Sequence, residues 1–160
     1  RADLLDQHED DARAGRVRVV EPMFRAYGGR ARFHGAIATL KVFEDNTLVR
    51  KALEAPGNGR VLVIDGGGSK RCALVGDQLA QLGVKNGWAG IVVYGCIRDS
   101  SAMAGMDIGL RALDTHPLKS IKKGAGDADI AVTFGGVTFT PGEHLYADED
   151  GVVVSPAPLL

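Results

Sequence analysis

Asp77 and the pair Arg98-Asp99 are separated by twenty residues, and they bring two carboxylates and a guanidinium to the ends of apolar, Gly-flanked runs. The planar fork of Arg98 matches a carboxylate, and the single carboxylate of Asp99 suits a hard divalent cation that keeps most of its waters. A small 2-oxo acid held on such a cation is the substrate this set can act on, so the expected chemistry is that of a metal-dependent lyase. Val61-Leu62-Val63-Ile64 precedes Gly66-Gly67-Gly68, and Ile91-Val92-Val93-Tyr94 precedes Gly95. Both motifs are therefore expected at one sheet edge, where open α/β sheets bind ligands. A helix starting near Asp77 would add the free N–H groups of Gly76, Asp77, Gln78 and Leu79 as a carboxylate site.

Each residue also has a purely structural role open to it. Asp77 alone is a helix-terminal acid favoured by the macrodipole, and Arg98-Asp99 alone is a surface ion pair. The glycines after Ile64 suit a tight strand-to-helix turn, or a nucleotide or methyl-donor cradle, but Arg71 stands where a dinucleotide fingerprint needs its third glycine. None of His8, His34, His116 and His144 lies at zinc-ligand spacing from another, and no Ser/His/Asp or Cys/His set assembles. Cys96 reads as strand-end packing and Asp148-Glu149-Asp150 as a solvated turn. Lys70, Lys85, Lys119, Lys122 and Lys123 offer amines for a Schiff base, but nothing in the sequence marks one of them as desolvated.

The elements that must position these residues follow from periodicity. Residues 1–31 read as an amino-terminal arm, helical or irregular, broken at Glu21-Pro22 and turned at Gly28-Gly29. A strand is expected over 32–42 and a helix from Asp45 or Asn46 to about Ala55, ended by Pro56-Gly57-Asn58-Gly59. Strand 61–65, a Gly loop, a helix from about Leu74 to Lys85 with the stripe Val75, Leu79 and Leu82, and strand 89–95 make a βαβ unit with a parallel pair. Beyond it a short helix near 101–104 and strands near 108–112, 130–134, 137–140, 145–147 and 152–154 are expected, with a hairpin at Gly135-Gly136. The fold class is α/β, a mixed three-layer β/β/α arrangement in a single domain spanning 1–160.

Composition narrows the function. The chain of 160 residues is 45% hydrophobic and 24% charged, and its formal net charge is −1 with no long Lys/Arg block. A phosphate backbone has nothing to follow, so direct nucleic-acid binding is not expected. Two cysteines outside any CxxC spacing, no signal-peptide pattern and no apolar run of membrane length point to a cytoplasmic protein away from the membrane. The chain begins at Arg1 without a Met, so a few residues are expected before it.

Phe24 to Phe33 (FRAYGGRARF), Val42 to Asn46 (VFEDN), Val61 to Ser69 (VLVIDGGGS), Ala73 to Asp77 (ALVGD), Gly95 to Asp99 (GCIRD) and Gly135 to Phe139 (GGVTF) resemble the regulator of ribonuclease E activity A family. That family also contains class II, metal-dependent 4-hydroxy-4-methyl-2-oxoglutarate aldolases, many of which decarboxylate oxaloacetate. The likeness spans residues 3 to 156, and its aldolase signature, Asp, twenty residues, Arg-Asp, falls on Asp77, Arg98 and Asp99. The resemblance implies a swivelling β/β/α fold, three or six subunits with sites at their interfaces, and Mg²⁺ or Mn²⁺ on Asp99. It further implies that Arg98 binds the pyruvyl carboxylate and stabilises the enolate, that Asp77 orients a water on the metal for proton delivery, and that Gly76 to Leu79 supply backbone donors. Longer aldolases of the family add a carboxylate from a neighbouring subunit's carboxyl-terminal extension, and no counterpart to it is expected within the residues up to Leu160. The alternative the resemblance carries is a protein-binding inhibitor of ribonuclease E.

Overall fold

The computed structural model describes residues 2–160, so the first residue of the expected arm lies outside the described residues. The arm contributes α1 (Ala2–Gln7), α2 (Glu9–Arg13) and the short strands β1 (Arg18–Val19) and β2 (Arg25–Ala26). The long strand β3 (Phe33–Lys41) leads to α3 (Thr47–Glu54), β4 (Val61–Asp65), β5 (Ala73–Val75), α4 (Asp77–Lys85) and β6 (Gly90–Ile97). Then come α5 (Ser100–Met103), β7 (Gly109–Thr115), β8 (Asp127–Ala128), β9 (Val132–Phe134) and β10 (Val137–Phe139). Strands β11 (His144–Asp148) and β12 (Gly151–Ser155) close the chain.

The main sheet runs β1-β12-β11-β3-β4-β6-β7-β2. Its middle, β3, β4, β6 and β7, is parallel, as crossovers through α3 and α4 require, and both flanks are antiparallel. β3 belongs to both halves: Phe33 to Ala36 pair antiparallel with β11, and Ile37 to Lys41 pair parallel with β4.

Central strands covered on both faces read as continuous apolar runs, and alternate residues serve different layers. Leu62, Ile64, Ile91 and Val93 pack with Val49 and Leu53 of α3 and Leu79 and Ala80 of α4. Val61, Val63 and Val92 face the other way, against Phe134, Phe139, Leu145 and Val154. Leu4 and Val17 seat the arm against Tyr146 and Val153. The layering is the β/β/α arrangement that the sequence implied. Gly135 and Gly136, with φ of 61° and 72°, make the expected turn between β9 and β10.

Two expectations are corrected. The helix does not begin at Leu74: Ala73, Leu74 and Val75 are fully buried as β5, which pairs parallel with β6, and Gly76 in extended backbone separates them from α4. Burial on a sheet overrides the helical spacing of Val75, Leu79 and Leu82, which a strand followed by a helix can equally produce. The arm is also more regular than expected, since β1 pairs with β12 and β2 with β7 at the two ends of the sheet.

The Phe33 ring lies against the glycines that open β6 and β7, and a Cβ on either Gly90 or Gly109 would overlap it. Gly109→Ala should therefore cost about 1–3 kcal/mol by overpacking. Urea unfolding should show this loss, and in a Phe33→Ala background the same substitution should cost much less, because the ring it meets is gone.

Candidate active site

The parallel pairing of β5 with the end of β6, Ala73 opposite Cys96 and Val75 opposite Ile97, makes the two chains leave the sheet side by side. The Arg98 N–H donates to the Val75 carbonyl at 2.9 Å, so Gly76 and Arg98 emerge as neighbours. Asp99 then takes the left-handed conformation, φ 62° and ψ 39°, which Asp tolerates better than most residues. That turn starts α5, where the N–H groups of Ala102 and Met103 donate to the Asp99 carbonyl at 3.1 and 3.2 Å. It also swings the side chain toward α4, and Oδ2 of Asp99 accepts the Asp77 N–H at 3.1 Å. A carboxylate at a helix N-terminus is favoured by the macrodipole. Gly76 permits this approach, because a Cβ there would lie 3.0 Å from Asp99 Oδ2 and 3.5 Å from Arg98 Nε.

Gly76, Asp77, Gln78, Leu79, Arg98 and Asp99 all line one cavity of about 150 Å³. The structure thus brings every sequence-derived site residue together, with one difference in detail. The Asp77 N–H is already committed to Asp99, whereas those of Gln78 and Leu79 have no partner among the described residues. The Arg98 guanidinium makes one long contact, Nη1 to the Pro117 carbonyl at 3.5 Å, and keeps most of its donors.

The strand that delivers Asp77 is β5, not the 61–65 strand whose Gly loop the sequence places before it. The Gly66-Gly67-Gly68 loop is not part of the cavity lining. A Cβ on Gly67 would meet the Phe43 ring and one on Gly68 the Tyr94 ring, while Gly67 itself stays exposed.

Besides Ala73, four polar lining residues fall outside the set the sequence points to: Asn46, the residue before α3, Arg50 in its first turn, and Lys119 and Lys122 from the irregular segment after β7. In the sequence these two lysines offer themselves only as amines. That segment is held by the Ala73 N–H on the Leu118 carbonyl at 2.7 Å and the Ile121 N–H on the Glu44 carbonyl at 3.2 Å. Asn46 donates from Nδ2 to the Leu74 carbonyl at 3.1 Å, while its buried Oδ1 has no partner among the described residues. An acceptor left unsatisfied beside a cavity is a place for a ligand hydroxyl or a water.

The donor set fits a hard cation. No group of three His, Cys, Asp or Glu that could hold a metal occurs among the described residues, which suits neither zinc nor calcium. Asp99 has Oδ2 on a backbone donor and Oδ1 without one, and one carboxylate oxygen with a shell of waters is how Mg²⁺ is commonly held. A larger hollow of about 460 Å³ near Phe24 is lined by Glu21, Asp148, Glu149 and Asp150, and its one cation, Arg111, is buried on three backbone carbonyls. An anionic substrate has no place there. No helix of the described residues is long and apolar enough to cross a membrane.

The RraA-like family model, Aldolase/RraA, matches residues 1–154. A protein of Aromatoleum aromaticum named "Putative 4-hydroxy-4-methyl-2-oxoglutarate aldolase" is 73% identical over 99% of this chain and 97% of its own length. Among solved structures, one from Geobacillus kaustophilus described as an S-adenosylmethionine: 2-dimethylmenaquinone methyltransferase is 51% identical, with a TM-score of 0.91 over 99% of this chain and 95% of that one. The RNA-processing inhibitor RraA from Thermus thermophilis is 46% identical, with a TM-score of 0.91 over 98% of this chain and 92% of that one.

Asp45, next to Asn46, ties the lysine segment to α3. Burial would raise its carboxyl, but hydrogen bonds from Thr47, Ala125 and Lys123 outweigh that and hold it far below the usual carboxylate range. A carboxyl depressed in the folded state adds stability above its unfolded value and loses it as the pH falls toward the folded one. The stability advantage of the parent over Asp45→Asn should thus be full at neutral pH and shrink from about pH 5 to about pH 2. Urea midpoints measured across that range check it; a pH-independent difference would mean the charge of Asp45 is not what stabilises.

Proposed function

The chain belongs to the Aldolase/RraA family, and from that we propose that it is a divalent-metal-dependent lyase. Its substrate is 4-hydroxy-4-methyl-2-oxoglutarate or a related 4-hydroxy-2-oxo acid, split to pyruvate and a second 2-oxo acid, and it also decarboxylates oxaloacetate. One observation carries the reading: Arg98 and Asp99 leave β6 directly beside the free N–H groups that open α4.

Breaking the bond between C3 and C4 of such a substrate leaves its electron pair in the enolate of pyruvate, with the negative charge on the C2 oxygen. Asp99 would hold Mg²⁺ or Mn²⁺, which when bound supplies Lewis acidity toward that oxygen. Arg98 grips the C1 carboxylate in its fork and places positive charge beside the developing oxyanion. The N–H groups of Gln78 and Leu79 donate to the same carboxylate at the positive end of α4. Asp77, at the first position of that helix, orients the water that returns a proton to C3. In the aldol cleavage the 4-hydroxyl gives up one proton and C3 receives one, so the cycle balances; in oxaloacetate decarboxylation carbon dioxide leaves and water supplies the proton. Lys119 and Lys122 are exposed, whereas a Schiff-base amine is desolvated.

A second reading rests on the likeness to the RNA-processing inhibitor. The same fold would bind ribonuclease E as a protein partner, and the formal charge of −1 favours contact with the enzyme over contact with RNA. A methyl-donor site is less favoured, since the Gly loop that would cradle the donor lies outside the cavity lined by Arg98, Asp99 and the head of α4.

Pyruvate release from 4-hydroxy-4-methyl-2-oxoglutarate and from oxaloacetate should be abolished by EDTA and restored by Mg²⁺ or Mn²⁺. Asp99→Ala should bring turnover to background, while Asp77→Ala should lower kcat by about 10²–10⁴-fold and leave Mn²⁺ binding measurable. Turnover by Asp99→Ala near the parent rate would move the metal elsewhere and leave the regulator reading standing.

That reading has its own readout. If this protein inhibits ribonuclease E, Asp99→Ala should still do so, because a protein surface does not need the metal ligand. RNA cleavage assays with the folded variant decide it, and inhibition lost with Asp99 would join the two activities in one site.

A further inference from the structure

Asp45 lies in the corner between β3 and α3 with 3% of its surface exposed, and its hydrogen bonds join the two pieces of chain that frame one side of the cavity. Oδ1 accepts the Thr47 N–H at 2.9 Å and the Thr47 hydroxyl at 2.7 Å, at the head of α3. Oδ2 accepts the N–H groups of Lys123 at 2.9 Å and Ala125 at 3.1 Å. The Thr47 hydroxyl oxygen accepts the Gly124 N–H at 3.2 Å and completes the clamp. Lys122 is the residue before the clamped stretch, Asn46 the residue after Asp45, and Arg50 lies one helical turn beyond Asn46; all three border the cavity.

Arg50, Lys119 and Lys122 make no ion pair among the described residues. Three cations lining one small cavity repel each other, and none of them is paired with a carboxylate among the described residues. On the proposed reading, Arg98, Asp99 and the head of α4 in the same cavity already provide for one carboxylate and one metal ion. We propose that Asp45 is a positioning residue, whose buried carboxylate fixes the 119–125 segment against α3 so that Arg50, Lys119 and Lys122 receive the second anionic group of the substrate. This deepens the lyase reading and rests on it.

The acceptor count explains why a carboxylate is needed. Oδ1 and Oδ2 each take two donors, so an amide in the same place would aim its NH₂ at two N–H or O–H groups and release either the segment or the helix head. Thr47→Val removes one strand of the clamp without touching the cavity lining. Lys119→Ala with Lys122→Ala removes two of the cations themselves and leaves the clamp intact.

The test uses calorimetric titration of the full chain, with Mg²⁺ present, against pyruvate, which has one carboxylate, and 2-oxoglutarate, which has a second one and no 4-hydroxyl to cleave. The parent should bind 2-oxoglutarate more tightly than pyruvate. Asp45→Asn should weaken 2-oxoglutarate about tenfold, the worth of one charge-assisted contact, and pyruvate by less than about twofold. The double lysine variant should show the same selective loss and Thr47→Val a smaller one, so the inference stays readable should Asp45→Asn not fold. Equal weakening of both acids, or an unchanged ratio in the lysine variant, overturns the inference while the lyase reading stands. A parent that binds neither acid overturns the reading of the site and this inference with it.

Discussion

The hydrogen bond from the Asp77 N–H to Asp99 Oδ2 ties the head of one helix to the end of a neighbouring strand, and the arrangement of the site depends on it. It rests on β5 and β6 side by side and a left-handed Asp99, and it is eased by a residue at 76 without a Cβ. The αL backbone costs something, because non-Gly side chains crowd the following carbonyl there. The cost is offset by two N–H groups of α5 on the Asp99 carbonyl and by the favourable seat of its carboxylate at a helix N-terminus. Any residue without a short acceptor at 99 would lose the second of these and keep the strain.

That bond also gives the cavity its mixed electrostatics. Arg50, Arg98, Lys119 and Lys122 against Asp77 and Asp99 leave two formal positive charges more than negative ones on the lining, although the chain as a whole carries −1. A purely cationic pocket at the positive end of α4 would hold an acid but repel a metal ion. With one carboxylate fixed by a backbone donor, the same small space would suit the divalent cation and the adjacent anion that the proposed lyase needs. Global charge, which argues against nucleic acid, says nothing about this local excess.

What the sequence disclosed follows the physical range of each interaction. Asp77, Arg98 and Asp99 were legible because each sits beside a Gly and an apolar run, and local patterns mark strand ends. The double-faced core was legible because Val61 to Ile64 and Ile91 to Val93 are apolar without alternation. β5 was hidden: three apolar residues before a helix satisfy both periods, and only pairing with β6 decides between them. β1, β2 and β8 are two residues each, too short for any pattern. Lys119 and Lys122 were hidden for a different reason. Their segment has no regular structure, and contacts from Ala73, Glu44 and Asp45, all distant in sequence, place it.

The separation of scaffold and site also accounts for relatives of one fold carrying different names. The buried layers are built from residues that alternate between two apolar cores, and none of the lining side chains apart from those of Ala73 and Leu79 is counted in the buried core. Exchanging a loop residue at the cavity therefore leaves the packing of β4 and β6 intact, and function is free to vary on a constant frame. The exception is Asp45, which is buried with the frame yet acts on the lining. A change there propagates in both directions, to the helix head through Thr47 and to the lysine segment through Lys123 and Ala125. Like Asp99, whose replacement removes the seat at α4 while keeping the αL strain, Asp45 is a position where a substitution changes stability and the cavity together.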